Sequence, residues 1–597
     1  MSAPGRRPVR IANCSGFYGD RLAAAREMVE GGPIDVLTGD YLAELTMLIL
    51  WKARQKDPSA GYARTFLAQL EEVLGSCLER GIRIVANAGG LNPLGLADAV
   101  RELGTRLGLA PKVAAVTGDD VLPRLAELQA AGVDLAHLDT GRPLAGSGLQ
   151  PVTANAYLGG WGIAAALEAG ADVVVCPRVT DASLVVGPAA WWHGWARTDR
   201  DALAGAVVAG HVVECGPQAT GGNYAFLDEI ADRRAPGFPV AEVAADGSSV
   251  ITKHPGTGGL VSVGTVTAQL LYEIAEPAYA NPDVVAHFDT VRLAQEGPDR
   301  VRITGTRGSP PPPTLKVALN AVGGYRNTMT LVLTGLDIEA KAAWAQELLF
   351  AQLGGRDAFA ETDVRLLRFD RPDAPTNEEA TAHLRITVKD PDPRTVGRRF
   401  SDALTALALG GYPGFFATTP PTAESAYGVY WPALVPADAV AQAVRLPDGT
   451  DLPVPHTPGT VDATVPARED PPAAAVGSGE TFSGRTRRVP LGVVAGARSG
   501  DKGGNANVGF WVREDAAYPW LAAFLTPDRV RGLLTEAADL DVRVFALPNL
   551  RALNVVIVGL LGEGVAASTR LDPQAKGLGE YLRSRLVDVP VELLGPA

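Results

Sequence analysis

Cysteine is scarce in this sequence, with four residues in 597. In a chain this long, that excludes a disulfide framework. Long apolar runs are missing too. A stretch such as "ALNVVIVGLLG" has about the length of a strand, far short of the roughly 20 residues that cross a bilayer. Basic residues are in the minority. Fifty-four Lys and Arg stand against 67 Asp and Glu, a net charge of −13, which argues against nucleic acid as the main partner because a phosphate backbone needs a basic face. Neither CxxC nor HExxH occurs, which removes the usual zinc sites. The opening "MSAPGRRPVRIANCSG" has no apolar segment of signal-peptide type before its first strand. The expectation is a cytoplasmic, reducing location, no membrane partner and a small-molecule substrate. Hydrophobic residues make up 46% and charged ones 20%. This is an ordinary globular composition, and the length calls for about two to four domains.

What is present first is a repeat of short β-branched runs in the first 190 residues: "PVRIANCSG", "IDVLTGD", "IRIVANAGG", "KVAAVTGDD", "VDLAHLDTG" and "ADVVVCPRVTD". Helix-like segments separate most of them. In "RTFLAQLEEVLGSCLERG", residues Phe66, Leu67, Leu70, Val73, Leu74, Cys77 and Leu78 recur at the helical period. Strand–helix alternation predicts an α/β fold with a parallel sheet flanked by helices. The nearly continuous apolar strands fit a sheet covered on both faces. From about 205 to 450 the pattern becomes α+β, with extended segments such as "LKVALNAVG", "TMTLVLTG" and "AHLRITVKD" and the helix "IEAKAAWAQELLFAQLGG". Residues 455–486, rich in Pro, Gly, Ala, Ser and charge, read as a flexible linker. The remaining segment, about 487–594, reads as a small α+β domain.

In an open parallel sheet, ligands bind beyond the carboxyl ends of the strands. Those ends are polar here. In order they deliver Asn13 and Cys14; Thr38 and Asp40; Asn87, Gly89, Gly90 and Asn92; Thr117, Asp119 and Asp120; Asp139 and Thr140; and Cys176, Arg178, Thr180 and Asp181. Such residues also cap helices and form turns, but six consecutive polar ends exceed what capping requires. Asp40, Asp119 and Asp181 are candidates for acid–base work or for holding a divalent cation such as Mg²⁺. Arg178 is suited to grip a carboxylate or phosphate. Cys77 and Cys176 read as core. Cys14 and Cys215 are the candidate nucleophiles, given a nearby base. His211 precedes Cys215 by four residues.

Three glycine-rich stretches stand out. "CGPQATGGNY" combines Gly216, Gly221 and Gly222 with Gln218, Thr220 and Asn223, a composition able to present N–H groups to an oxyanion. "HPGTGGLVSVGTV" places Gly258 and Gly259 before a helix, where an anion can bind. "GARSGDKGGNANVGFWV" has Lys502 followed by Gly503, so it is no P-loop, and it runs into a strand, so it is no dinucleotide fingerprint. It reads as strand, a polar loop of about nine residues, strand. The loop carries Arg498, Ser499, Asp501, Lys502, Gly503, Gly504, Asn505 and Asn507, with Asp501 and Lys502 as catalytic candidates. A loop longer than a hairpin needs is more often functional.

"ECGPQATGGNY", "KHPGTGGLVSVGTV", "PTLKVALNAVGGYRN" and "ARSGDKGGNANVGFWVR" together resemble the acyclic terpene utilisation (AtuA-like) family over most of the chain. The resemblance implies a large core, about 8–450, and a C-terminal domain of ferredoxin-like fold at about 487–594. It also implies a context in the bacterial breakdown of branched acyclic terpenoids as CoA thioesters, and it carries no catalytic residue across. The leading expectation is an enzyme acting on a branched acyl-CoA or related carboxylic acid by a hydratase, dehydratase or lyase step, a homo-oligomer being one arrangement. Two others stand beside it: a non-catalytic acyl-CoA-binding partner subunit, and a Mg²⁺-dependent phosphoester hydrolase.

Overall fold

The computed structural model describes residues 7–460, 482 and 484–594, so most of the expected linker lies outside the described residues. The chain divides into two compact units: Met1–Asn320 with Tyr430–Val565 and Asp572–Ala597, and Ala321–Val429 with Ala566–Leu571.

The first unit is built on strands β1 (Val9–Asn13), β2 (Val36–Gly39), β3 (Arg83–Ala86), β4 (Val113–Thr117) and β5 (Val173–Val175). They pair in parallel in the order β1-β2-β3-β5-β4. Alternate residues face opposite cores. Val9, Ile11, Val36 and Val85 pack in one layer, while Ala12, Leu37, Ile84 and Ala86 pack in the other. This double covering accounts for the unbroken apolar runs. Helix α1 (Arg64–Arg80) buries Phe66, Leu70, Val73, Leu74 and Cys77, the face read from the periodicity. It ends where Gly81 turns left-handed at φ 68°. The other helices that frame the site are α2 (Pro93–Arg106), α3 (Ser183–His193), α4 (Arg200–Val213) and α5 (Val263–Leu270).

The sheet is larger and more mixed than the expected parallel core. Antiparallel β6 (Pro239–Val243) joins β1, followed outward by β7 (Ser249–Lys253), then β9 (Arg300–Thr304), then β8 (Arg292–Gly297). At the far edge β10 (Ala443–Arg445) pairs antiparallel with β4 and is followed by β11 (Asp451–Pro453). One position read as a strand is not one. "VDLAHLDTG" is irregular, because the place beside β4 is taken by β10 and the segment is tied elsewhere: Trp431 Nε1 donates to Leu135 O at 2.9 Å. The change of character expected near residue 205 falls inside α4, which is buried from Ala202 to Val213. Gly205 of that helix lies so close to the turn between β6 and β7 that a Cβ would overlap the carbonyl oxygen of Gly247. Gly205→Ala is therefore expected to cost roughly 1–3 kcal/mol, read as a lowered melting temperature. An unchanged melt would mean that the helix and turn do not approach this closely.

The C-terminal part of the same unit is a four-stranded antiparallel sheet. Its strands β12 (Ala495–Lys502), β13 (Asn505–Val512), β14 (Val542–Leu547) and β15 (Ala552–Ile557) pair in the order β12-β13-β15-β14. Helix α6 (Leu578–Ser584) lies on β12. Val508, Phe510, Leu521, Val555 and Leu582 are among its core residues.

In the second unit, residues 325–334 of the strand Thr314–Thr334 pair with Thr381–Asp390, which also pairs with Glu361–Arg368. The expected helix spans Ile338–Leu353, and helix Arg398–Gly410 shares its core. Among the described residues no helix is long and apolar enough to cross a membrane.

Candidate functional site

The carboxyl ends of the parallel strands carry a connected set of buried side chains. Asn87, just past β3, donates from Nδ2 to Asp40 Oδ1 at 2.6 Å and accepts from Tyr41 N–H at 2.7 Å. Burial, reinforced by the charge of Asp181, pushes the Asp40 carboxyl well above the usual carboxylate range. Asn13, at the end of β1, donates to the Glu214 carbonyl at 3.2 Å. Arg178 follows β5. It is 3% exposed, donates to the Leu42 carbonyl, lies 3.3 Å from Asp181 Oδ1 and stacks on Tyr157 at 4.3 Å. Burial opposes its charge, but Asp181, Tyr157 and Asp40 outweigh that, so its pKa is raised. Beside it Lys316 Nζ lies 3.4 Å from Glu44 Oε1 and faces the rings of Tyr157 and Tyr430. Burial works against this ammonium too, and Tyr157 and Glu44 more than restore it.

The β12–β13 segment reaches these groups from the C-terminal domain. It is not the long loop its composition suggests. The strands continue to Lys502 and restart at Asn505, leaving a two-residue turn in which Gly503 takes φ +63°, the conformation such a turn demands at its first position. The polar residues therefore project from strands. The Lys502 ammonium donates to the Glu273 carbonyl at 2.7 Å and lies 5.6 Å from the Tyr279 ring. Asn507 Oδ1 accepts the Glu273 N–H at 2.7 Å, and Asn507 also bonds Asn554. Glu273 is thus gripped at both backbone groups in a left-handed conformation, φ +55°. A non-glycine residue holds such a conformation only when its surroundings enforce it. Lys576 bonds the Tyr272 hydroxyl and lies 3.3 Å from Glu273 Oε1 and 3.8 Å from Asp501 Oδ1. Arg498 stacks on Tyr272 at 4.2 Å and bonds Gln218 Oε1. Asn505 donates to Asp139 at 2.7 Å.

These groups form a partly accessible polar cluster and are not sealed in a core. The side chains of Glu44, Asp181, Lys316 and Glu273 keep 25%, 30%, 29% and 33% of their surface accessible. The electrostatics are uneven. Burial, with Glu273 and Glu44 adding to it, raises Asp501 to about 8. Burial also raises Glu273 to about 7, against the opposing charge of Lys502. Lys502 is lowered, first by burial and then by Lys316. Asp501 and Glu273 are pushed toward neutrality while Arg178 and Lys316 hold their charge.

Other expected residues serve elsewhere. Asp119 accepts from Asn155 Nδ2 at 2.7 Å and from the Arg178 N–H at 3.3 Å, and burial raises it to about 7. It holds the Arg178 segment in place. Asn92 caps α2 through the Gly95 N–H at 3.0 Å. Gly89 and Gly90 are packed against Cys176 and Leu50. Cys14 is buried, its thiol pushed up to about 12 by burial. Burial and then Glu214 raise Cys215 well above its ordinary value, which disfavours the thiolate a nucleophile needs. In 215–224, Gly216 packs on Phe238, Gly221 takes φ +103° and Gly222 N–H bonds Pro217 O, while Asn223 is exposed. Only Cys215 and Gln218 of that stretch border Arg498. Gly258 and Gly259 pack on Ala235 and Thr220. At the start of α5 the N–H groups of Val263 and Thr265 already bond Gln295 and Ser262. Ser499 holds α6 through the Gly579 N–H at 2.8 Å, and the Gly504 carbonyl accepts from Leu561. Among the described residues no three His, Cys, Asp or Glu side chains gather in a way that could hold a metal ion.

Residues 9–446 match the family model described as acyclic terpene utilisation family protein AtuA, and residues 489–588 match the AtuA ferredoxin-like domain. The chain belongs to the acyclic terpene utilisation family. Membership ties it to the utilisation of acyclic terpenes and identifies the C-terminal four-stranded sheet as the ferredoxin-like domain of that family. No curated protein matches the chain. In this family member, sequence reasoning misses Glu44, Tyr157, Glu214, Glu273, Tyr279, Lys316, Tyr430 and Lys576. The "PTLKVALN" and "YEIAEP" segments hold Lys316 and Glu273, but a single charged residue at the end of an apolar run carries no spacing signal of its own.

Proposed function

We propose that this chain is an enzyme of acyclic terpene utilisation that acts on a branched acyl-CoA or related carboxylic acid by a dehydratase, hydratase or lyase step. The observation that carries the reading is the meeting of Asp501 and Lys502, at the β12–β13 turn, with Glu273, Glu44 and Lys316 of the core. With a pKa of about 7, Glu273 is poised near neutrality to take a proton from the carbon next to a thioester carbonyl. As charge develops on the acyl oxygen, Lys502 supplies an ammonium and Asp501, protonated below about pH 8, supplies an O–H donor. A carboxylic acid kept neutral by its surroundings can play that part. Arg178 and Lys316 offer fixed positive charge to a carboxylate or phosphate of the ligand.

The test is a panel of branched acyl-CoA thioesters, 3-hydroxy and 2,3-unsaturated forms included, with their parent acids. Binding is measured by calorimetry and turnover by mass spectrometry. Turnover of at least one branched thioester is expected. Binding without turnover would assign the cluster a carrier role, and no binding at all would sink the acyl-CoA reading.

A further inference from the structure

Next to these groups lies a pair of side chains with no part in the proposed function. His211 and Glu214 share a face at the end of α4, three residues apart. His211 is 1% exposed and Glu214 7%. His211 Nδ1 lies 3.5 Å from Glu214 Oε1, the backbone of Gln269 and Leu270 faces the imidazole, and Oε2 of the carboxyl has no hydrogen-bond partner. Buried polar atoms are nearly always paired. The unpaired Glu214 oxygen therefore marks a place where something else can bond. The rings of Tyr279 and Phe288 pack on the imidazole at 5.1 and 5.3 Å, and Asn13 holds the Glu214 carbonyl. The surroundings are those of the cluster itself. Asp181 and Asp40 from the strand ends, and Glu273 from beyond α5, oppose ionisation of Glu214; Lys502 from β12 favours it, and Cys215 and Tyr279 are its other titratable neighbours. Burial first and these carboxylates second push the Glu214 carboxyl well above the usual carboxylate range. Burial lowers His211 to about 3, so the imidazole is neutral.

We propose that Glu214 is the acid that protonates the departing hydroxyl of a 3-hydroxyacyl substrate, with His211 as its positioning residue. The assignment rests on the dehydratase form of the proposed function. Glu273 takes the proton from C2 and the C2–H electron pair moves into an enolate whose charge rests on the thioester oxygen; the pair then forms the C2=C3 double bond as the C3–O bond breaks toward oxygen. The Glu214 O–H proton goes to that oxygen, which leaves as water. Glu214 is left a carboxylate and Glu273 protonated, and proton exchange with solvent restores both. The reverse sequence is hydration. His211 lies 3.5 Å from Oε1 and leaves Oε2 as the unpaired oxygen from which the proton would be given.

The experiment uses the full chain with 3-hydroxy-3-methylbutyryl-CoA in D₂O. It reads two rates separately, exchange of the C2 hydrogens and formation of the unsaturated thioester. Glu214→Gln is expected to slow elimination by about 10² while C2 exchange stays near wild type. Elimination at the wild-type rate in Glu214→Gln, or equal loss of both rates, overturns the assignment. A wild type that neither exchanges nor eliminates any thioester of the panel overturns the acyl-CoA reading and this assignment together. Should Glu214→Gln fail to fold, Glu214→Asp, one methylene shorter, is expected to show the same selective loss. His211→Asn is expected to shift the pH profile of elimination and not that of exchange. An unmoved profile removes His211 from the proposal.

Discussion

Lys502→Met is expected to lower turnover of any accepted thioester by about 10³, the upper range for removing one preorganised donor to a developing negative charge. Methionine keeps the apolar stem of lysine and loses only the ammonium. The substitution also breaks the 2.7 Å bond to the Glu273 carbonyl, so part of the loss comes from freeing the strained Glu273 backbone. Asn507 still holds the Glu273 N–H, and the fold should survive with a circular dichroism spectrum like that of wild type. Lys502→Arg is not expected to rescue, since a planar guanidinium cannot replace a point-like ammonium in this space. If Lys502→Met retains more than half of the wild-type kcat, the proposed role is wrong.

Asp501→Ala should cost between about 10² and 10³ in kcat, and Asp501→Asn should recover most of that, because the amide keeps an N–H donor where the neutral carboxyl has its O–H. The pH dependence distinguishes the two forms. The folded pKa is raised from the ordinary carboxylate value to about 8, so the donor exists below that pH and is lost above it. Wild-type activity should fall as pH rises through about 8, and Asp501→Asn should not share that fall. Stability follows the same sign. A carboxyl whose folded pKa is raised stabilises the fold at low pH and loses that contribution as pH climbs from about 4 to about 8. Asp501→Asn should thus melt higher than wild type at pH 8 and show no such advantage at pH 4. Identical pH–rate profiles in the two proteins would remove Asp501 from the chemistry.

The division into an α/β core and a small C-terminal α+β domain is visible in the amino-acid pattern because both rest on local rules, whereas the ferredoxin-like fold comes from the family. The helical period over Phe66 to Cys77 and the apolar runs of β1 to β3 are two examples. The antiparallel additions to the sheet are not visible locally. Whether β10 sits beside β4 is decided by a pairing across more than 300 residues, Ala443 with Thr117, and no short window reports it. The DKGGNAN hairpin is misread for a different reason. Glycine and polar content imitate a loop, whereas Gly500 and Gly509 sit within strands because Tyr272 and Leu271 press against them where a side chain would stand. Of the cluster, the strand-end residues Asp40, Asn87, Arg178 and Asp181 are legible from their position. Glu44, Lys316 and Tyr430 meet only through tertiary packing, each isolated in its own apolar surroundings.

The grip of β12 and β13 on Glu273 has a consequence for the order in which the protein is made. Synthesis proceeds at about 5–20 residues per second, so Pro453, the last strand residue of the large sheet, is translated several seconds before Asp501 and Lys502. For several seconds the nascent core holds Arg178, Lys316 and Glu273 without the lysine and the acid that would make them reactive. Under the proposed function, emergence of the hairpin, more than folding of the core, is then the event that completes the site.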